Sequence, residues 1–169
     1  MKLETMEDLF AEQLHDLHSA EQQLTQALPK MAQAASHEEL REAFEHHLQE
    51  TQDHVRRLDD IYGELGIPAS SEKCEAMEGL IAEGEQLIQA QGDPAVKDAA
   101  LIGAAQRVEH YEIAAYGTAR ELAKQLGHEQ AEELLDQTLD EESNADTLLN
   151  KIATGGMFAS GINQRAQQQ

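Results

Sequence analysis

Shifted by 91 residues, this chain lies over itself without a gap, and that repeat limits the folds open to it. Phe10 falls on Leu101, Leu17 on Val108 and Met31 on Leu122. Further along, Phe44 falls on Leu135, Leu48 on Leu139, Leu58 on Leu149 and Ile61 on Ile152. The spacing of these apolar residues is helical, so each copy reads as a pair of helices with one face to bury. Shared heptad spacing could match the apolar positions alone. The acidic matches say more: Glu21 falls on Glu112, and Glu50 on Glu141.

Glu21 stands inside an apolar stripe at positions 10, 14, 17, 21, 24 and 28, and Glu112 inside one at 101, 105, 108, 112, 115 and 119. Both carboxylates therefore point into a core. A buried, unpaired carboxylate costs several kcal/mol or takes up a proton. Two at equivalent positions ask for a shared partner. Loop lengths set the depth of the other helices. Counting back through the turn near Ser36 puts Glu21 level with Glu50 to His54. Through the turn near Gly127, Glu112 comes level with Glu141 and Glu142, which itself lies on the stripe 135, 138, 142, 145, 149. The expected metal ligands are thus Glu21, Glu50, His54, Glu112, Glu141 and Glu142. Carboxylates with a nearby imidazole make a hard, oxygen-rich cage that suits iron or manganese. Two ions sharing carboxylates would neutralise a cluster that otherwise repels itself. Iron there could react with dioxygen or peroxide, given an open coordination position.

The helix ends can be read along the chain. Thr5 caps a first helix with Glu7 and Asp8 in its first turn, and Pro29 kinks or interrupts it. Ser36-His37-Glu38-Glu39 reads as a capping box for the second, which stops between Gly63 and Gly66. Ser70 or Ser71 opens a shorter helix, Asp93-Pro94 starts the next, and Gly127 ends it. The expected fold is all-α: a four-helix bundle of two hairpins joined by a crossover that contains its own helix. Residues 1–154 form the bundle and 155–169 a loosely held tail.

Lys and Arg number 12 against 33 Asp and Glu, a net charge of −21 that repels phosphate backbones and attracts cations. Nucleic acid is excluded as a partner on that ground. Cys74 is the only cysteine, so no intrachain disulfide forms, and it reads as a small buried hydrophobe. No apolar run reaches the ~20 residues of a membrane span, and Met1 to Thr5 do not open a signal peptide. A cytoplasmic protein is expected.

Certain runs then carry a family resemblance. They are Ser19-Ala20-Glu21-Gln22-Gln23-Leu24, His47-Leu48-Gln49-Glu50-Thr51, Ala76-Met77-Glu78-Gly79-Leu80-Ile81, Val108-Glu109-His110-Tyr111-Glu112-Ile113-Ala114 and Thr138-Leu139-Asp140-Glu141-Glu142. Together they resemble the YciE/YciF stress-associated proteins of the ferritin-like superfamily, nearly to Lys151. The resemblance implies a ferritin-like homodimer with a di-iron centre and a ferroxidase-type or peroxide-detoxifying role. The superfamily sets one Glu on the first and third helices and Glu-x-x-His on the second and fourth. Glu21 and Glu112 match the former, and Glu50 and Glu141 open the latter. Asp53 and Asn144 stand where its histidines would be, and His54 comes one residue late.

Glu109 and His18 read as groups at the rim, and His46, His47 and His110 as surface or packing residues. Tyr111 and Tyr116 read as core residues or donors behind the ligands. There is no phosphate loop, nucleophile elbow or zinc-type Cys/His spacing. Two function classes fit: a stress-associated di-metal oxidase, and a helical dimer, metal-free or with a structural metal, that acts as an interaction protein.

Overall fold

The computed structural model describes residues 3–156 and 159–168. Its core is four long helices: α1 (Met6–Ala34), α2 (Glu38–Leu65), α4 (Pro94–Leu126) and α5 (Glu129–Thr154). A shorter α3 (Glu75–Gln89) lies in the connection between the two hairpins. After α5 come a two-residue antiparallel pairing of 155–156 with 159–160 and a short α6 (Ile162–Ala166). Each hairpin packs its own helices together, and α1 meets α4 while α2 meets α5. This is the expected all-α bundle with a helix-containing crossover.

Several helix ends follow directly from the sequence. Thr5 and Asp8 form a reciprocal capping box, with 3.0 Å bonds in both directions. Asp93 accepts from the amides of Ala95 and Val96 ahead of α4, with Pro94 in its first turn. Gly66 and Gly127 close α2 and α4 with φ of 66° and 76°, a region that favours glycine. Helix α1 continues through Pro29.

Two ends differ from expectation. The second helix is capped by no Ser36 box; it starts after His37, whose side chain makes no capping bond. Instead the carboxylate of Asp98, buried on α4, accepts from the Ser36 amide at 2.9 Å and the His37 amide at 2.8 Å. The third helix starts after Cys74, not at Ser70 or Ser71. Cys74 is fastened to α1: its amide donates to Ser19 Oγ at 2.8 Å, and Gln23 Nε2 donates to its carbonyl at 3.1 Å.

The apolar core comes in two parts. One lies around the α1–α2 turn and includes Leu24, Leu28, Leu40, Phe44, Met77, Leu101, Val108 and Ile152. The other lies around the α4–α5 turn and includes Phe10, Leu14, Leu17, Leu58, Ile61, Tyr116, Leu122 and Leu135. The expected loose tail contributes Ile162, buried in the first part. Gly161 sits so close to the backbone of residues 153–155 that a Cβ would lie 2.3 Å from Gly155 N. Among the described residues, no helix is long and apolar enough to cross a membrane.

Candidate metal centre

Between the two apolar parts lies a layer of buried polar side chains. Each core helix contributes from its middle. Helix α1 provides Glu21, α2 provides His47, Thr51 and His54, α4 provides Glu109 and Glu112, and α5 provides Thr138 and Glu142. On α2 the inward stripe is 40, 44, 47, 51, 54, 58, 61, which turns both histidines inward seven residues apart. On α4, Glu109 and Glu112 are one turn apart, and Tyr116 follows Glu112 by another.

The side chains converge as two groups that share Glu142. Glu21, His54 and Glu142 form one, and His47, Glu109, Glu112 and Glu142 the other; within each, the candidate ligand atoms all lie within 4.8 Å of one another. His54 Nδ1 is 3.2 Å from Glu21 Oε1 and 3.1 Å from Glu142 Oε1, though neither contact has hydrogen-bond angles. His47 Nε2 is 3.5 Å from both Glu109 Oε1 and Glu142 Oε2. Tyr116 donates to Glu21 Oε1 at 2.5 Å.

Buried polar atoms in this layer lack hydrogen-bond partners to an unusual degree. They include Glu21 Oε2, Glu109 Oε2, Thr51 Oγ1, both oxygens of Glu112 and both of Glu142, besides His47 Nε2 and His54 Nδ1. Native interiors leave few such groups unpaired. A metal ion is one agent that could satisfy several carboxylate oxygens and two imidazole nitrogens at once, and the donor set is the hard kind that suits it. The residues therefore fit a bound metal.

The electrostatics are those of acids and imidazoles crowded together out of water. Burial pushes Glu112 well above the carboxylate range, and the charges of Glu142, Glu21 and Glu109 push it further. Burial likewise raises Glu109 well above that range, against the pull of His47, and raises Glu21. Burial also opposes charge on the histidines, but the carboxylates win. Glu109 and Glu142 bring His47 up to about 10, and Glu142 and Glu21 bring His54 to about 11. Glu142 is held low despite its burial, because His47 and His54 flank it.

Of the residues expected as ligands, Glu21, His54, Glu112 and Glu142 come together here. Glu50 and Glu141 do not join either group; both are half-buried. Glu141 lies behind His54, accepting from its Nε2 at 2.9 Å. Arg57 grips Glu141 with two bonds of 2.6 and 2.9 Å and holds its carboxyl at about 2 in spite of burial. Glu50 lies outside His47. His47 and Glu109, expected at the surface or in packing and at the rim, are instead buried in the layer. Their signal was present: the spacing of Leu40, Phe44 and Leu58 runs through 47, 51 and 54, and that of Ala105, Glu112 and Ala119 admits 109. Leu48 and Val55 drew the α2 stripe one residue off, and both are only half-buried. Tyr111 is also half-buried, its hydroxyl donating to Asp16 and lying 3.1 Å from the Cys74 thiol.

Comparison with other proteins gives the following. The chain matches the family described as a domain of unknown function (DUF892) over residues 5–167. It is 45% identical to Protein YciF of Escherichia coli (strain K12) over 168 residues, 99% of this chain and 98% of that one. The crystal structure of the E. coli stress protein YciF superposes with a TM-score of 0.86 at 48% identity, covering 88% of this chain and 94% of that one. YcfI, a proposed structural protein of Rhodopseudomonas palustris, does so with 0.86 at 43% identity, covering 90% and 97%. A protein from Xanthomonas campestris shares the fold at 18% identity, with a TM-score of 0.70 over 87% of this chain and 89% of that one.

Proposed function

This chain belongs to the DUF892 family, and we propose that it is a ferritin-like, stress-associated protein that binds two divalent metal ions, iron or else manganese, in its polar layer. The observation that carries the reading is the set of buried carboxylate oxygens without hydrogen-bond partners, above all both oxygens of Glu112 and of Glu142. Glu21 and His54 would hold one ion and His47, Glu109 and Glu112 the other, with Glu142 common to both groups. When bound, a pair of ferrous ions supplies electrons to dioxygen or peroxide, a ferroxidase-type activity.

The surrounding side chains prepare the ligands. Tyr116 occupies one oxygen of Glu21 and leaves the other free. The Arg57–Glu141 pair holds His54 by Nε2, so that Nδ1 faces Glu21 and Glu142, the arrangement by which an outer carboxylate orients a ligating imidazole. The two apolar ends close the layer off along the length of the bundle. The net charge of −21 favours cations at the surface and disfavours nucleic acid. A cytoplasmic homodimer completes the proposal.

Elemental analysis tests it, on protein from iron- and manganese-supplemented cells beside a Glu21→Ala/Glu112→Ala variant. We expect about two ions per chain in the native protein and none in the variant, as the shared ligand set requires. Folded protein free of metal in both would overturn the reading.

A second reading has its own support. The His54 ring lies within 3.2 Å of Glu21, Glu142 and Glu141, so an imidazolium there already faces three carboxylates. In that reading the layer is a charged network that fixes helix register in a metal-free dimer acting as an interaction protein. It requires that a chelator change neither melting temperature nor dimerisation.

A further inference from the structure

A pocket of about 90 Å³ opens between α2 and α5. Its mouth is marked by His46 and Leu148, both exposed. Its sides include Ala43 and Ala145, whose small side chains leave the gap between the helices open. Its floor is His47 and Glu109, two members of the proposed metal-binding group, and each has a buried atom without a hydrogen-bond partner, Nε2 and Oε2. The pocket thus joins solvent to the polar layer.

Glu50 stands partway down. One of its oxygens, Oε2, is 3.3 Å from Nδ1 of His46 and 3.4 Å from Nδ1 of His47. The His46 side chain is 67% exposed, that of Glu50 24% and that of His47 6%. A single carboxylate oxygen therefore touches one imidazole in water and one in the core. As an ion pair this adds little stability, because His46 is largely solvated. As a chain of oxygen and nitrogen donors of falling exposure, it offers a divalent cation successive partners on the way inward.

We infer that this pocket is the route by which divalent cations reach the centre, with His46 and Glu50 as a transient capture site that hands the ion to His47 and Glu109. The inference rests on the proposed metal centre. A cation held between His46 and Glu50 exchanges water for these donors. It moves on because the inner group offers more of them. Glu50 and His46 are then determinants of rate and not of capacity.

Anaerobic mixing of ferrous iron with metal-free protein tests this, with a ferrous-specific chelating dye added at set times to take up the unbound ion. The variants are His46→Asn/Glu50→Gln, which removes the capture site, and Ala145→Phe, which fills the pocket. We expect both to load about tenfold or more slowly than the native protein, the scale of rate enhancement that a charged cleft gives. Both should reach the same number of ions per chain at equilibrium. Native loading rates in both variants would overturn the inference. So would a lower final occupancy in His46→Asn/Glu50→Gln, which would make Glu50 or His46 a resident ligand. A native protein that takes up no iron at any time would remove the centre itself, and the route with it.

Discussion

Both carboxylate oxygens of Glu112 are buried without a hydrogen-bond partner, and the charges of Glu142, Glu21 and Glu109 oppose its ionisation. A carboxyl whose value is raised on folding costs stability as pH climbs above the ordinary 4.5, because the unfolded chain gives up the proton first. The histidines act with the same sign. His47 and His54 contribute stability that is fully present below the ordinary 6.5 and is lost as pH rises through about 10 and about 11. The metal-free protein should therefore melt at progressively lower temperature from pH 6.5 to 10, as followed by circular dichroism. Glu112→Gln should raise the metal-free melting temperature at pH 8, by on the order of 1–3 kcal/mol of stability. The gain should shrink as pH falls through 4.5, because below it Glu112 holds its proton in the folded and the unfolded chain. A variant less stable than the native protein at pH 8 would mean that the carboxylate has a partner. At this scale the sequence was legible where an acid interrupts an apolar stripe, as at Glu21 and Glu112. It was less so where two neighbours could each face inward. Glu141 and Glu142 share a depth, and only the packing of α2 against α5 gives Glu142 to the buried polar layer and Glu141 to Arg57.

Helix ends show the same division between local and distant causes. Thr5, Asp93 and Gly127 act on amides or carbonyls of their own turns, so the chain alone reveals them. Ser36-His37-Glu38-Glu39 has the pattern of a capping box, yet Asp98, some sixty residues along, takes the amides instead. Cys74 starts α3 because Ser19 and Gln23 of α1 hold it there, a contact that no local pattern encodes. Asp98→Ala would leave the Ser36 and His37 amides without their acceptor. For two amide hydrogen bonds to a buried carboxylate, a loss of about 1–3 kcal/mol is expected in urea unfolding. A change below about 0.5 kcal/mol would show that water or the Ser36 side chain substitutes for it.

For the whole molecule, two apolar cores are held in line across one polar layer, and a bound metal would couple them. Anything that binds the folded chain alone stabilises it by mass action, about 2.7 kcal/mol at a hundred times the dissociation constant. For a chain of this size that is a rise of roughly 5–10 °C in melting temperature. Calorimetry with and without a chelator should show that difference, and Glu21→Ala/Glu112→Ala should abolish it. Equal melting temperatures in the native protein would support the structural reading instead. The bundle was legible at this scale because the repeat pairs the hairpins. The division of the core was legible only in part, since the apolar stripes run past the layer without marking how many polar groups it gathers.

The clasp at Asp98 also makes a reporter. Because its carboxylate reaches from the second hairpin to the turn of the first, the amide protons of Ser36 and His37 are guarded across the joint and not by their own helix. Their exchange with deuterated solvent follows the parting of the hairpins, so two backbone protons can time how often the halves of the repeat come apart.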